Sequence, residues 1–197
     1  MKRIADGQEY ALKMVLLKNL SEKEKENAVN EVRILASIRH PNIISYKEAF
    51  IDKASESLCI VMEIVDAGDL YGSITKNLNR QGSTIPQADQ EYEGLKEDFI
   101  WRVFIQVIKG LKTLHDINVM HRDLKSANVF LNSDDTVKLG DMNVSKKASQ
   151  EGLNFTQTGT PYYASPEVWR DEPYDIKSDI WSMGCVLYEM ITLKPPF

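Results

Sequence analysis

The chain has 197 residues, 43% of them hydrophobic and 27% charged, an ordinary balance for a soluble globular protein and long enough to bury a substantial core. Its formal charge of −5 argues against a nucleic-acid partner, which needs a basic surface. Cys59 and Cys185, the only cysteines, exclude a disulfide framework, and no apolar stretch matches a membrane span or a secretion signal, so a cytoplasmic or nuclear protein with no membrane partner is expected.

Tyr10 to Val15 has strand composition, and the period of two puts Ala11 and Lys13 on one face. Ser21 and Glu24 form a capping-box pattern that predicts a helix through Ala28, Val32 and Leu35, closed by Pro41. Glu31, one turn before Leu35, falls on the inward side of that helix; a solvated carboxylate is the plainer reading. Leu58 to Met62 is an apolar run fit for a buried strand, and Glu63-Ile64-Val65 leads out of it towards Gly68. From Lys76 to Glu97 the chain turns polar and predicts an exposed loop. Asp98 is then placed to cap a helix whose stripe runs Phe99, Val103, Phe104, Val107, Ile108, Leu111 and Leu114, a core face rather than a cofactor box.

The chemistry concentrates further on, in His121-Arg122-Asp123-Leu124-Lys125-Ser126-Ala127-Asn128. Val129-Phe130-Leu131 and Val137-Lys138-Leu139 are short strand-like runs, and Asn132 to Thr136 between them has turn composition, so the segment predicts a hairpin. Asn128 enters it and Asp141 leaves it. A hairpin returns the chain to its start, so an amide oxygen and a carboxylate meet, a donor pair suited to Mg²⁺ beside substrate phosphates.

These residues resemble the catalytic loop and metal segment of the eukaryotic protein kinases. The likeness extends in order through Ala11-Leu12-Lys13, Glu31, the loop, Asp141-Met142-Asn143 and Ser165-Pro166-Glu167. Within that family Leu20 to Leu35, Thr158 to Tyr163 and Ser178 to Ser182 look most like the NIMA-related serine/threonine kinases. The resemblance implies an α+β, two-lobe fold: a β-rich small lobe over residues 1–65, a hinge near Val65 and a mainly helical lobe over 66–197.

It also implies ATP and Mg²⁺ as cofactors, a protein Ser/Thr hydroxyl as acceptor, and roles residue by residue. Lys13 would grip the α and β phosphates, oriented by Glu31. The backbone of Glu63 and Val65 would bond adenine, with Met62 behind it and Ala11 and Phe130 sandwiching the base; core packing is the alternative for both apolar residues. Asp69 matches a ribose-contacting acid and equally an ordinary N-terminal helix residue. Asp123 would orient the attacking hydroxyl and take its proton, Lys125 would balance charge, and Asn128 with Asp141 would hold the metal. His121 is expected to pack in a hydrophobic spine rather than act as a base, and His40 and His115 to be structural. Asp179 is expected to anchor the loop, and Glu167 to pair with an arginine beyond Phe197.

Thr156, four residues before Thr160, matches an activating site whose phosphate would pair with Arg122, while Thr160 would contact Asp123 and Lys125; capping or turn threonines are the alternative. Three departures stand against the family pattern. The glycine-rich loop should precede Lys2 to Glu9, the last helices should follow Phe197, and the metal motif carries Met142 and Asn143 where phenylalanine and glycine are usual. Asparagine tolerates positive φ and methionine fits apolar slots, so both substitutions are mild. A binding-only fragment or pseudokinase is the second hypothesis, against which stand Lys13, Asp123, Asn128 and Asp141, all retained. A small-molecule kinase is the third, and the platform-like Thr158 to Glu167 segment argues against it.

Overall fold

The alternation at Tyr10 to Val15 forms a strand, β1 (Ala11–Leu16), in the computed structural model, which describes residues 1–4, 7–18, 21–80, 94–141 and 162–197. Ala11, Lys13 and Val15 share its half-buried face, while Leu12, Met14 and Leu16 face outwards. β1 pairs antiparallel with β3 (Ser57–Met62), which lies between β1 and β2 (Tyr46–Asp52). The register sets Ala11 opposite Met62 and Lys13 opposite Ile60. A central strand covered on both faces explains the unbroken apolar run of Leu58 to Val61, all buried.

The capping box is realised at the start of α1 (Glu22–Ser37). Ser21 N–H donates to Glu24 Oε2 at 2.7 Å, and Glu24 N–H donates back to Ser21 Oγ at 3.4 Å. Ala28, Val32 and Leu35 are buried and pack with Leu17, Leu58 and Ile60 of the sheet lobe and with Leu114 from the other lobe. The helix stops at Ser37 rather than running towards Pro41: Ile38 is extended, and Ser37 Oγ donates to the Ile34 carbonyl at 2.6 Å, satisfying an acceptor of the last turn.

Two further elements differ from their predicted bounds. The polar region expected from Lys76 begins inside a helix, α2 (Leu70–Arg80), anchored by buried Leu70 and Ile74 at a spacing of four. Residues 81–93 of that expected loop lie outside the described residues. α3 (Glu97–Asp116) has Lys96 at its N-cap with no side-chain cap bond, so Asp98 is not the cap. It sits with Glu97 in the first turn, where the exposed N–H groups and the helix dipole favour carboxylates.

The predicted stripe of α3 is core. Val103, Val107 and Leu111 are buried with Leu70, Leu124, Val129, Leu139 and Met183, and Phe99, Phe104 and Ile108 pack against them. Each fully buried aliphatic side chain contributes about 1.5–3 kcal/mol by leaving water. Gly110 permits close approach there: a Cβ would stand 2.7 Å from the Asn42 carbonyl oxygen and 2.9 Å from Leu139 Cδ1.

The predicted hairpin is β4 (Val129–Leu131) and β5 (Val137–Leu139), with Val129 opposite Leu139. Its turn closes through Asn132 N–H to the Thr136 carbonyl at 2.9 Å, with Asp135 at φ +68°. The hairpin is joined to the sheet lobe by backbone: Leu139 N–H donates to the Asn42 carbonyl at 2.9 Å and Ile44 N–H to the Leu139 carbonyl at 2.8 Å. Beyond a short α4 (Pro166–Trp169), α5 (Lys177–Thr192) crosses beneath α3 and the catalytic segment, carrying buried Asp179, Met183, Val186, Glu189 and Met190. Among the described residues no helix is long and apolar enough to cross a membrane.

Candidate active site

The loop after α3 is shaped by one buried carboxylate. Asp179 accepts from His121 N–H at 2.9 Å, from Arg122 N–H at 2.9 Å, and lies 2.8 Å from His115 Nε2. These bonds hold Arg122 at φ +66°, a left-handed conformation that a long side chain rarely adopts. His121 is itself buried, and its Nε2 lies 3.1 Å from the Gly140 carbonyl while Nδ1 has no hydrogen-bond partner among the described residues. Bonding to a carbonyl requires the proton on Nε2. Burial pushes the His121 imidazole below its ordinary pKa, against the opposing pull of Asp179, Asp123 and Asp141. It is a neutral strut between loop and hairpin, held by a hydrogen bond where packing in a hydrophobic spine was expected, and His115 bonds Asp179.

Asp123 follows the strained Arg122 and is gripped by its neighbours. Lys125 Nζ stands 3.1 Å from Asp123 Oδ2. Asn128 Nδ2 donates to the Asp123 carbonyl at 2.7 Å and to Oδ2 at 3.2 Å. One turn of 3-10 helix, Ser126–Asn128, brings Asn128 back to Asp123 across five positions. With its amide NH₂ spent on Asp123, Asn128 has its Oδ1 left to accept or coordinate.

The hairpin then delivers Asp141. Gly140 N–H donates to the Asn128 carbonyl at 3.1 Å, so Asp141 leaves the hairpin beside the residue that enters it. Gly140 is squeezed between Ile44 and Phe130, with a Cβ there 2.8 Å from the Phe130 ring. Asp141 has φ +53° and pairs with Lys13 Nζ, a contact between the lobes over 128 positions. Lys13, Asp141, Asn128 and Asp123 thus converge from three separate segments. Glu31 lies in α1, with its side chain outside the described residues. Thr156, Thr160, Met142 and Asn143 also lie outside them.

The predicted hinge residues follow β3, the strand paired with the one that carries Lys13. Met62 ends β3 opposite Ala11, and both are half-buried. Glu63 N–H is taken by the Ser45 carbonyl at 3.0 Å, so the group it can offer a base is its own carbonyl. Its side chain accepts from Ser45 N–H at 2.6 Å and from Lys138 Nζ at 3.0 Å, tying hinge to hairpin. Beyond half-buried Val65, Ala67 N–H bonds the Leu131 carbonyl at 3.0 Å and Leu131 N–H the Gly68 carbonyl at 2.9 Å, which brings half-buried Phe130 beside the hinge. Asp69 Oδ1 accepts from Gly72 N–H at 2.7 Å, capping α2, so its helix-terminus reading is realised in the structure.

Among the described residues no three His, Cys, Asp or Glu side chains gather as a self-sufficient metal site. One amide oxygen and one carboxylate are nevertheless the donor set Mg²⁺ accepts when nucleotide phosphates and water complete its octahedron, so the residues fit a phosphate-bridged ion rather than a resident one. A protein-family model, described as protein kinase domain, matches residues 1–197.

This chain belongs to the protein kinase family.

Similar members are NIMA-related. Serine/threonine-protein kinase Nek1 of Mus musculus is 42% identical over 198 residues, covering all of this chain and 15% of that protein. Probable serine/threonine-protein kinase nek2 of Dictyostelium discoideum is 40% identical over 200 residues, all of this chain and 45% of that protein. G2-specific protein kinase nimA of Emericella nidulans is 35% identical over 224 residues, all of this chain and 30% of that protein. The chain therefore spans less than half the length of these relatives.

One ion pair that sequence reasoning passed over, and one partner that differs from the expectation, complete the polar contacts of this part of the fold. Lys138 sits mid-strand, where a lone lysine in Val-Lys-Leu asks for a carboxylate partner, and finds Glu63. Glu167, expected to await an arginine, accepts from Ser178 Oγ at 2.7 Å, which lowers its carboxyl pKa.

Proposed function

We propose that the chain is the catalytic portion of a serine/threonine protein kinase, transferring the γ-phosphoryl group of ATP to a protein hydroxyl. The observation that carries this is the convergence of Lys13, Asp123, Asn128 and Asp141 on one cleft. Phosphoryl transfer asks the protein for positioning and charge neutralisation more than for covalent help, and these are the residue types that supply both.

In this reading Asp123, steadied by Lys125 and Asn128, orients the acceptor hydroxyl and takes its proton. Lys125 balances charge on the moving phosphoryl group, and its place two positions after Asp123 favours Ser/Thr over Tyr acceptors. Mg²⁺, when bound with the nucleotide, neutralises phosphate charge. Asn128 Oδ1 and the Asp141 carboxylate would hold it. Lys13, now paired with Asp141, exchanges that partner for the α and β phosphates, with Glu31 orienting it. The adenine lies between Ala11 and Phe130, meets the Glu63 carbonyl and the Val65 backbone, and abuts Met62; Asp69 keeps Oδ2 for the ribose while Oδ1 caps α2. Thr156 is the activating position, its phosphate paired with Arg122, whose guanidinium meets no carboxylate among the described residues; Thr160 contacts Asp123 and Lys125. Residues 1–65 and 66–197 form the two lobes, and the protein works in the cytoplasm or nucleus.

The test is transfer of label from γ-labelled ATP with Mg²⁺ to a Ser/Thr acceptor protein, comparing the chain with Asp123→Asn. The unchanged chain is expected to phosphorylate serine or threonine, and the variant to lose about 10²–10⁴-fold in rate while still binding nucleotide. Nucleotide binding without transfer in the unchanged chain would assign it a binding role instead.

A further inference from the structure

The catalytic segment holds a buried serine that the reaction outlined above does not use. Ser126, fully buried, stands between Lys125 and Asn128 on the 3-10 turn, and its Oγ lies 3.1 Å from the hydroxyl of Tyr163. Tyr163 is the second described residue after the segment 142–161, and it is gripped at both ends. Its carbonyl accepts from Ser182 Oγ at 2.8 Å, and its hydroxyl donates to Glu189 Oε2 at 2.6 Å.

The polarity of this chain of bonds follows from donor counting. An ionised carboxylate can only accept, so the single phenolic proton goes to Glu189. Tyr163 oxygen is then left as an acceptor, and Ser126 must be the donor. Burial and the Glu189 carboxylate both push the Tyr163 phenol above its ordinary range, so the proton stays where this chain needs it. Consecutive donors ending on a charge reinforce one another. Glu189 is buried on α5, the same helix whose Asp179 holds the other end of the loop. The loop is thus fixed from α5 twice, directly before Asp123 and through Tyr163 after Lys125.

We propose that Ser126, Tyr163 and Glu189 form a positioning relay that ties the turn carrying Lys125 and Asn128 to the Tyr163 to Glu167 segment, so that displacement of that segment is felt at the catalytic side chains. The inference rests on the phosphotransfer reading. Ser126 touches neither nucleotide nor acceptor; it acts through the turn it belongs to. Gly140 N–H and the Asn128 side chain hold the far end of the turn, whereas Lys125 at its start makes no side-chain cap bond, so the serine hydroxyl is a hold on that near end.

The experiment compares Ser126→Ala, Ser126→Thr, Tyr163→Phe and the Ser126→Ala/Tyr163→Phe pair, all in the full chain. Expected is a fall in kcat of about tenfold for Ser126→Ala, the size of one lost hydrogen bond, with the KM for ATP and the melting temperature nearly unchanged, whereas Tyr163→Phe, which removes both bonds of the phenol and leaves buried Glu189 without that donor, should lower kcat at least as far and the melting temperature as well. The double variant should be no worse than Tyr163→Phe alone, because that change already removes the bond to Ser126, and Ser126→Thr, which keeps the hydroxyl, should recover activity. Losses that multiply in the double variant, or a Ser126→Ala enzyme as fast as the unchanged one, would overturn the relay. A second readout does not depend on turnover: the side-chain amide resonance of Asn128 should move in Ser126→Ala and in Tyr163→Phe alike, and an unmoved resonance counts against the relay. An unchanged chain without phosphotransfer, but with those shifts, would instead strike the functional reading and leave the relay standing.

Discussion

Arg122 N–H donates to Asp179 Oδ1 at 2.9 Å, and this bond joins the most conformationally constrained position of the catalytic loop to a carboxylate 57 residues later. Left-handed backbone in a non-glycine residue costs of order 1 kcal/mol or more and persists only where the surroundings insist on it. Asp179 is that insistence, since its other oxygen meets His121 N–H and His115. The loop is not merely near α5; it is held in an unfavourable shape by it, and that shape aims Asp123.

Asp179→Ala should therefore remove more than packing. The buried His121 N–H and the half-buried Arg122 N–H lose their acceptor, at about 1–3 kcal/mol each, so a stability loss of about 2–6 kcal/mol is expected by urea denaturation. Asp179→Asn, which keeps one oxygen and the volume, should lose less stability, yet still lower kcat because one of the two N–H bonds cannot be made.

Acidification should weaken the fold through His121. Burial lowers its pKa in the folded chain, whereas the unfolded chain takes up a proton near the ordinary value of about 6.5. Below that pH the unfolded state binds more protons, so stability rises with pH and is lost as pH falls. Urea midpoints measured from about pH 7 down to about pH 5 should decline, and the decline should be shallower in His121→Phe. His40, also lowered by burial, contributes in the same direction and remains in the variant.

Gly110→Ala separates helix propensity from packing. Alanine favours a helix interior by about 1 kcal/mol, but its Cβ would meet the Asn42 carbonyl at 2.7 Å, a backbone atom that itself bonds Leu139 N–H. Overpacking of this kind costs about 1–3 kcal/mol, so a net loss of stability is expected by thermal melting. A stabilised variant would mean that α3 and the 42–45 segment approach less closely.

What sequence reasoning reached and what it missed divide along a physical line. The capping box at Ser21, the hairpin at 129–139 and the α3 stripe rest on neighbours a few positions apart, so local chemistry was enough. α2 was indicated only at its start, by Asp69, and its run past Lys76 was missed because its buried face is little more than Leu70 and Ile74 among glycine, serine and asparagine, residues that otherwise mark loops. Asp98 was misplaced by two positions because carboxylates suit both the cap and the first turn. At the site, Asn128 bonds Asp123, and the hairpin returns Gly140, next to Asp141, to the Asn128 carbonyl, as the hairpin reading expects. The pairs Lys13 with Asp141, Glu63 with Lys138 and Tyr163 with Glu189 join segments brought together only by the tertiary fold, and no local periodicity announces them.

Under the phosphotransfer proposal, Asp141 and Asn128 Oδ1 would hold Mg²⁺ when nucleotide binds, and Lys13, which pairs with Asp141, would reach the phosphates. Calorimetric titration of ATP with Mg²⁺ and with EDTA, on the chain and on Asp141→Asn, tests it most directly. The account predicts that Mg²⁺ tightens ATP binding to the unchanged chain by about tenfold or more, roughly 1.4 kcal/mol, and that this difference vanishes in Asp141→Asn. Equal ATP affinity with and without Mg²⁺ in the unchanged chain, or an Asp141→Asn variant that keeps the full effect, would contradict it.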